Sequence, residues 1–561
     1  MILPRYDILP TNFLIVKEPL LRYDSPNKST SIRIDTPSDI IFVDPSDYDF
    51  LDKIGATKWY EPEFKDAEVW REKANECFKK GDYKKAIFLY DRGIRCDPEF
   101  AVLYLNKTLA CLRESAFYLA YESAKIGFEK GGDREKAFYR MGQAAYGMRE
   151  WEKAINHLED VLKEFPENEN AKKELKRATD RLAEQKDGNF DLKAMFVESK
   201  KTKAQLDVAD YKGPIEIANA IGKGRGIIAS KDIQKGTLLV VSKSFASGYF
   251  QDFLGILMAI NLAEKKIDTT AHTLQAIQTM QMLKNNPQRA NEIYDMYAGD
   301  DMMEKEELPF GVIDATRIQQ ISSLNAFSPT TWDGVGVELD LNAMQADSHL
   351  FVLPSYFNHS CLANAHRTFY ADVMVIHAVT DIKKSDEIYL SYISPLTDYP
   401  TRKKSFNKWN FTCECKLCKT DANDANYQKR SELFQRFLKH YSANKKFPER
   451  QIAEGERILQ QVRETYAERQ IYKLSLVQML TLLAGSYSFV DIFECIKCLR
   501  EAITLTEDEF KCDFKIAKVF YDLANCYNGI GNRGEAADCF KKAFEHSFCA
   551  DYGHLKMLYD F

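Results

Sequence analysis

A chain of 561 residues, 45% apolar and 29% charged, has the composition of an ordinary soluble globular protein with material for two to four domains. Its net charge of −6 leaves no basic excess to neutralise phosphates, which argues against a general nucleic-acid binder, and no run approaches the ~18 apolar residues of a membrane span. Thirteen cysteines, an odd number spread over a long chain, read as reduced thiols plus a metal site, and the opening MILPRYDILP shows no secretory leader. A cytoplasmic or nuclear protein is expected, with no direct hold on nucleic acid or membrane.

Residues 1–64, rich in Asp, Pro and Ser, show only short apolar alternations and stay unassigned. From residue 65 the pattern turns helical and periodic. Ala86, Ala120 and Ala154 recur at 34-residue intervals, and Pro98 and Pro166 lie 68 apart, twice that period. Small alanines let paired helices approach closely, and the proline ends the second helix of a pair. With Trp70, Ala74 and Tyr90 also in place, the segment resembles three tetratricopeptide repeats over about residues 67–168. A capping helix follows to about 185, within a domain of 65–188, and a linker covers 189–212.

Over 213–420 the period shortens. GRGIIASKDIQKGTLLVVSKSF and ADVMVIHAVTDIKKSDEIYLSYI are β-branched, turn-punctuated and alternate with period two. A helical stretch, DFLGILMAINLAEKKIDTTAHTLQAIQTMQML, interrupts these strands. The block ends in WNFTCECKLC, three thiols spaced C-x-C-x2-C, whereas a structural zinc takes four ligands. Residues 421–561 are helical again, with Phe520, Leu523, Ala524, Tyr527, Ala536, Phe540 and Ala543 in the repeat frame. Cys495 and Cys498 lie there among Ile492, Ile496, Leu499 and Ile503, the pattern of core packing. The expected class is therefore α+β and multidomain: a helical repeat array, a β-rich region with a helical insert, and a second repeat-like array.

GKGRGIIA (222–229), FNHSC (357–361), DEIYLSYI (386–393) and FTCECKLC (411–418) follow one another in that order. The series resembles a SET-domain protein lysine methyltransferase of the split, SET-and-MYND type, over about residues 213–420. The resemblance implies transfer of a methyl group from S-adenosylmethionine to a lysine of a protein substrate. It also supplies the missing thiol: Cys361 joins Cys413, Cys415 and Cys418 in a zinc site that staples the tail to the strand core. Lys223, Gly224 and Arg225 match the cofactor loop, Asn358 and His359 the pair that holds the cofactor, and Asn325 and Ser355 further contacts. Phe411 matches the ring that stacks on adenine. Tyr392 matches the tyrosine at the transfer point, where orientation and stabilisation of the polarised methyl matter most.

The chain also departs from that pattern. No cysteine lies between Cys111 and Cys361, so the MYND finger is missing. The usual Gly-Glu-Glu reads Ser385-Asp386-Glu387, and Ala363 replaces a proline. Trp409 stands where relatives place a second channel tyrosine; an indole there narrows the lysine channel, changes how many methyls are added, or closes the channel. Two functions stay open on this evidence, an active methyltransferase and a catalytically weak or inactive adaptor. In the N-terminal repeats, Arg71, Asn75, Asn106, Lys136 and Arg140 resemble the dicarboxylate clamp of co-chaperones. That resemblance implies binding of heat-shock chaperone C-termini, because two carboxylates need several converging cationic and amide donors.

Overall fold

The computed structural model describes residues 66–220, 224–253, 259–261, 266–300, 302, 310–328, 346–506 and 514–559. Before them it describes residues 52, 53 and 55 and four short strands, β1 (Phe13–Val16), β2 (Leu20–Asp24), β3 (Ser29–Arg33) and β4 (Ile40–Val43). These strands pair as β1–β4 and β2–β3, so the segment without an assignment from sequence carries strands. The chain divides into two compact units, Met1–Thr179 and Asp180–Phe561.

In the first unit three helical hairpins follow one another. Ala67–Lys79 packs with Tyr83–Cys96, Ala101–Arg113 with Phe117–Glu129, and Arg134–Gly147 with Trp151–Glu164. Aspartates start three of these helices: Asp66, Asp82 and Asp133 accept from the backbone N–H of Glu68, Lys85 and Lys136. Ala74, Ala86, Ala110, Ala120, Ala144 and Ala154 are fully buried, as the repeat period predicts for close helix contact. The long helix Glu169–Asp187 follows.

In the second unit a short helix, Leu192–Ser199, lies within the expected linker and precedes the β-rich region. Its strands are β5 (Tyr211–Lys212), β6 (Ile215–Ala220), β7 (Gly224–Ala229), β8 (Leu238–Lys243), β9 (Ala246–Gly248), β10 (Ala259–Asn261) and β11 (Lys266–Asp268). After the helices Thr270–Asn285 and Ala315–Asn325 come β12 (Ala326–Phe327), β13 (Ser348–Leu350), β14 (Asn358–His359), β15 (Ala365–Tyr370), β16 (Val373–Ala378) and β17 (Glu387–Leu390). Among the described residues these strands form the pair β10-β11 and the sheets β14-β17-β7-β6, β15-β16-β8-β5 and β12-β13-β9. Ile227, Leu239, Phe351, Phe357, Met374, Ile376, Ile388 and Leu390 form their shared core. Two registers set the site: β14 runs parallel to β17 with Asn358 opposite Tyr389, and β17 runs antiparallel to β7 with Glu387 opposite Ile228.

The helical insert is shorter than its apolar run predicts. β10 and β11 pair antiparallel where the sequence reads as helix, and the helix begins only at Thr270. Thr269 decides this by capping it, its hydroxyl accepting from the His272 N–H. Gly248 lets β9 lie against that helix; a Cβ there would sit 1.9 Å from the Ala271 carbonyl oxygen.

The C-terminal array runs through helices Tyr427–Ala443, Pro448–Thr465, Leu474–Tyr487, Ile492–Thr504, Phe514–Gly529, Arg533–Ser547 and Tyr552–Tyr559. Cys495 and Cys498 are buried in its core, as their apolar neighbours predict. A buried knot of ions ties the post-strand segment to this array. Arg402 and Arg469 both hold Asp421, while Arg469 and Arg430 hold Asp424 at 3.0 and 2.7 Å.

Candidate active site and cysteine cluster

The chain leaves β17 and passes through the helix Tyr399–Phe406 and a turn at Asn407–Trp409. Asn410 adopts a left-handed conformation (φ 52°), which reverses the chain so that residues 411–415 run back toward β14. There Cys361, Cys413, Cys415 and Cys418 gather with all four sulfurs within 4.8 Å of one another. Cys361 Sγ lies 3.5 Å from Cys418 Sγ and 3.9 Å from Cys413 Sγ. A tetrahedron of sulfurs at the usual 2.3 Å zinc–sulfur distance has edges of about 3.8 Å, so the four thiols fit that ion. A site closed by four protein ligands serves structure, because no position is left for a substrate. Leu417, Cys418 and Phe406 are buried around it against Leu474 of the C-terminal array. Arg402 brings positive charge beside Cys361 and Cys418.

His359 connects this cluster to a cavity. Its Nδ1 accepts the backbone N–H of Tyr392 at 2.9 Å, which leaves the proton on Nε2, 3.3 Å from Cys361 Sγ. Burial lowers the imidazole pKa and keeps it neutral. Around its ring lie Phe406, Tyr392 and Phe411, with centroids 4.7, 5.1 and 5.8 Å away.

The cavity measures about 1610 Å³. Gly224, Arg225, Asn325, Ser355, Asn358, His359, Tyr392, Trp409 and Phe411 all line it, so nine residues named from sequence come together. Lys223 lies outside the described residues. Gly224 opens β7 at φ 72°, a left-handed conformation that suits glycine. Arg225 donates to the Asp295 carbonyl and lies over the Tyr356 ring. The Asn358 amide donates to Glu387 at 2.7 Å, and Tyr389 donates to the other carboxylate oxygen. Ser355 donates to the Phe351 carbonyl at 2.6 Å, and Asn325 turns its amide to the Tyr297 and Ile321 carbonyls, both at 2.7 Å. Asn325 and Ser355 therefore shape the wall through backbone-directed bonds.

Tyr392 donates its hydroxyl proton to the Phe357 carbonyl at 2.7 Å. Burial pushes this phenol up to about 12, so it is protonated at neutral pH. The Trp409 ring stands 5.1 Å from the Tyr392 ring, and its indole N–H is fixed on the Leu324 carbonyl at 2.9 Å. Ser385, which replaces the expected glycine, sits at φ 70°, the left-handed region that glycine fills at lower cost.

Sequence reasoning missed two contributors. Glu387 positions Asn358, and Arg367 lines the cavity from β15. For Arg367 the signal was present: a charge two residues from Phe369 on an alternating strand, on the face that alternation turns inward.

In the first unit, Asn75 Oδ1 accepts from the Tyr90 hydroxyl at 2.6 Å and from Asn106 at 3.3 Å. Arg140 donates to the Leu105 carbonyl. Burial pushes Tyr90 up to about 12, while the charges of Arg71 and Arg140 draw it down. Asn75 thus joins Asn106 to Tyr90, which the sequence did not single out as a groove residue. Arg71 is engaged with Glu68, and Lys136, one turn before Arg140, pairs with Asp133 at 2.9 Å.

Comparison with known proteins agrees with this division. Residues 224–393 match the SET domain family, and 67–100, 136–168 and 517–545 match tetratricopeptide repeat families. The chain thus carries a SET domain after N-terminal tetratricopeptide repeats, with one further repeat match in its C-terminal helical array. A "Methyltransferase" of Gibberella zeae is 26% identical over 497 residues, covering 83% of this chain and 66% of that protein. The "Hsp70-Hsp90 organizing protein" of Triticum aestivum is 29% identical over 150 residues, 27% of this chain and 25% of its own length. "Histone-lysine N-methyltransferase SET5" of Eremothecium gossypii is 30% identical over 89 residues, 16% of this chain and 18% of its own length. The chain spans under two thirds of each of these relatives.

Proposed function

We propose that this chain is an S-adenosylmethionine-dependent protein-lysine N-methyltransferase of the cytoplasm or nucleus whose N-terminal repeats hold acidic chain termini. The observation that carries the reading is the cavity, where the described residues expected to hold the cofactor line one space with Tyr392. S-adenosylmethionine, when bound, supplies the electrophilic methyl group. Phe411 would offer a ring face to its base, and Asn358, Ser355 and the backbone at Gly224 and His359 would offer polar contacts. Because the Tyr392 proton is committed to Phe357, the phenol oxygen acts as an acceptor that orients a polarised methyl or amine. Zinc on the four thiolates would hold Phe411 and the tail against the cavity. The Gibberella relative's name supports methyl transfer, and the Eremothecium relative's name supports lysine as the acceptor.

Arg71, Arg140 and Lys136, with the amides of Asn75 and Asn106, suit a pair of carboxylates such as a chain-terminal aspartate. The wheat relative's name supports a heat-shock chaperone as the source of that terminus.

A second reading, an adaptor without turnover, rests on Trp409, whose ring is fixed beside Tyr392. Labelled S-adenosylmethionine, full-length protein and a cell-extract protein panel decide between them. Label on lysine supports the enzyme. No label in any fraction, while acidic peptides are still captured, leaves the adaptor.

A further inference from the structure

β15 carries Arg367 two residues before Phe369, so both side chains leave the same face of the strand. Arg367 lines the cavity together with Tyr392 and Trp409. Its guanidinium lies 5.4 Å from the Phe327 ring centroid and 6.0 Å from that of Phe369. The Arg367 charge reaches both the Tyr392 hydroxyl and the His359 ring. Burial draws the guanidinium down to about 10, which still leaves it a cation at neutral pH. A lysine side chain that approaches Tyr392 as an ammonium meets a like charge; the neutral amine does not.

We propose that Arg367 is a specificity-determining residue of this cavity, whose positive charge turns away the ammonium form of the target amine and admits the neutral form. The inference deepens the methyl-transfer reading and rests on it. In-line displacement needs the amine lone pair, and like charges a few ångströms apart repel strongly where water is partly excluded. Other charged side chains line the same cavity, Asp300 and Glu414 among the anions and Lys408 and Lys419 among the cations. Glu387, whose charge opposes that of Arg367 at the Tyr392 hydroxyl, is held by hydrogen bonds from Asn358 and Tyr389. Arg225 at the cavity wall adds a further positive charge.

The test uses full-length protein saturated with S-adenosylhomocysteine, probed by ligand-observed NMR at pH 7. Butylammonium and the similarly sized neutral butanol are compared on wild type, Arg367→Met and Arg367→Lys. Arg367→Met is expected to raise butylammonium affinity about tenfold and leave butanol unchanged, with Arg367→Lys behaving as wild type. Equal butylammonium binding in wild type and Arg367→Met overturns the proposal, as does an equal gain in Arg367→Lys. Where Arg367→Met fails to fold, Arg367→Gln makes the same comparison. Methyl transfer measured on the same preparations tests the enzyme reading separately: charge discrimination without any transfer upholds Arg367 and removes the reaction.

Discussion

Replacing Cys415 by serine removes one of four thiolates and should empty the metal site, with a graded effect on the tail. The sulfur separations of 3.5 and 3.9 Å lie near the roughly 3.8 Å edge of a zinc–sulfur tetrahedron, so three thiolates cannot bind comparably. Structural zinc in small peptides is worth about 10–16 kcal/mol, ample to fix a short irregular segment. The helix Lys416–Ala422 keeps other anchors when the metal goes. Leu417 is 1% exposed, and its burial contributes about 2 kcal/mol. Asp421 is buried between Arg402 and Arg469, and breaking such a pair costs about 3–5 kcal/mol. Residues 411–415 lack comparable anchors: Thr412 and Glu414 are exposed, and Phe411 is half-buried. In Cys415→Ser, amide hydrogen exchange should therefore rise over 411–415 while 417–422 stays protected. Adding Asp421→Asn should release the helix as well. Metal content by emission spectrometry should fall from about one zinc per chain to none. Full metal content with unchanged exchange over 411–415 would refute the four-thiolate staple.

Tyr392→Phe should lower methyl transfer by orders of magnitude while S-adenosylhomocysteine affinity stays within a few-fold, since the hydroxyl acts at the transfer step; equal rates remove it from the mechanism. A peptide ending in Glu-Glu-Val-Asp should bind the N-terminal repeats at roughly micromolar affinity by fluorescence anisotropy, weakening as salt rises. Lys136→Ala should cost it about tenfold, C-terminal amidation of the peptide a similar amount, and Tyr392→Phe nothing; an amide that binds as well as the acid would dismiss the clamp. Burial alone would raise the Asp424 carboxyl, but Arg430 and Arg469 outweigh it and hold the pKa below the usual range. Its stabilising contribution is thus present above about pH 4 and is lost as pH falls through the lowered pKa. The melting-temperature gap between wild type and Asp424→Asn should be constant above about pH 5 and close below pH 4. A gap that persists into strong acid would contradict that origin.

The repeats, the order of the motifs and the cysteine set were legible in the residues because each is carried by spacing along the chain. A period of 34 places Ala86, Ala120 and Ala154 at helix contacts whatever lies elsewhere, and all three are fully buried. C-x-C-x2-C sets three thiols within six residues, a spacing that raises the question of a metal, although the fourth thiol, Cys361, required the resemblance. The helix start at Thr270 was within reach too, since threonine before a helical run is a cap signal.

Tertiary structure decided what depends on partners distant in sequence. Whether Trp409 swings free or stands fixed beside Tyr392 is settled by the Leu324 carbonyl, 85 residues away. Arg402, Asp421, Asp424, Arg430 and Arg469 look like ordinary surface charges in the sequence; burial obliges them to satisfy one another. The same holds for Arg367: alternation could place it on the inward face, but only the tertiary packing that sets it beside the Phe327 ring puts it in the cavity wall. Local pattern fixes which face a side chain leaves from, and long-range packing fixes what it meets there.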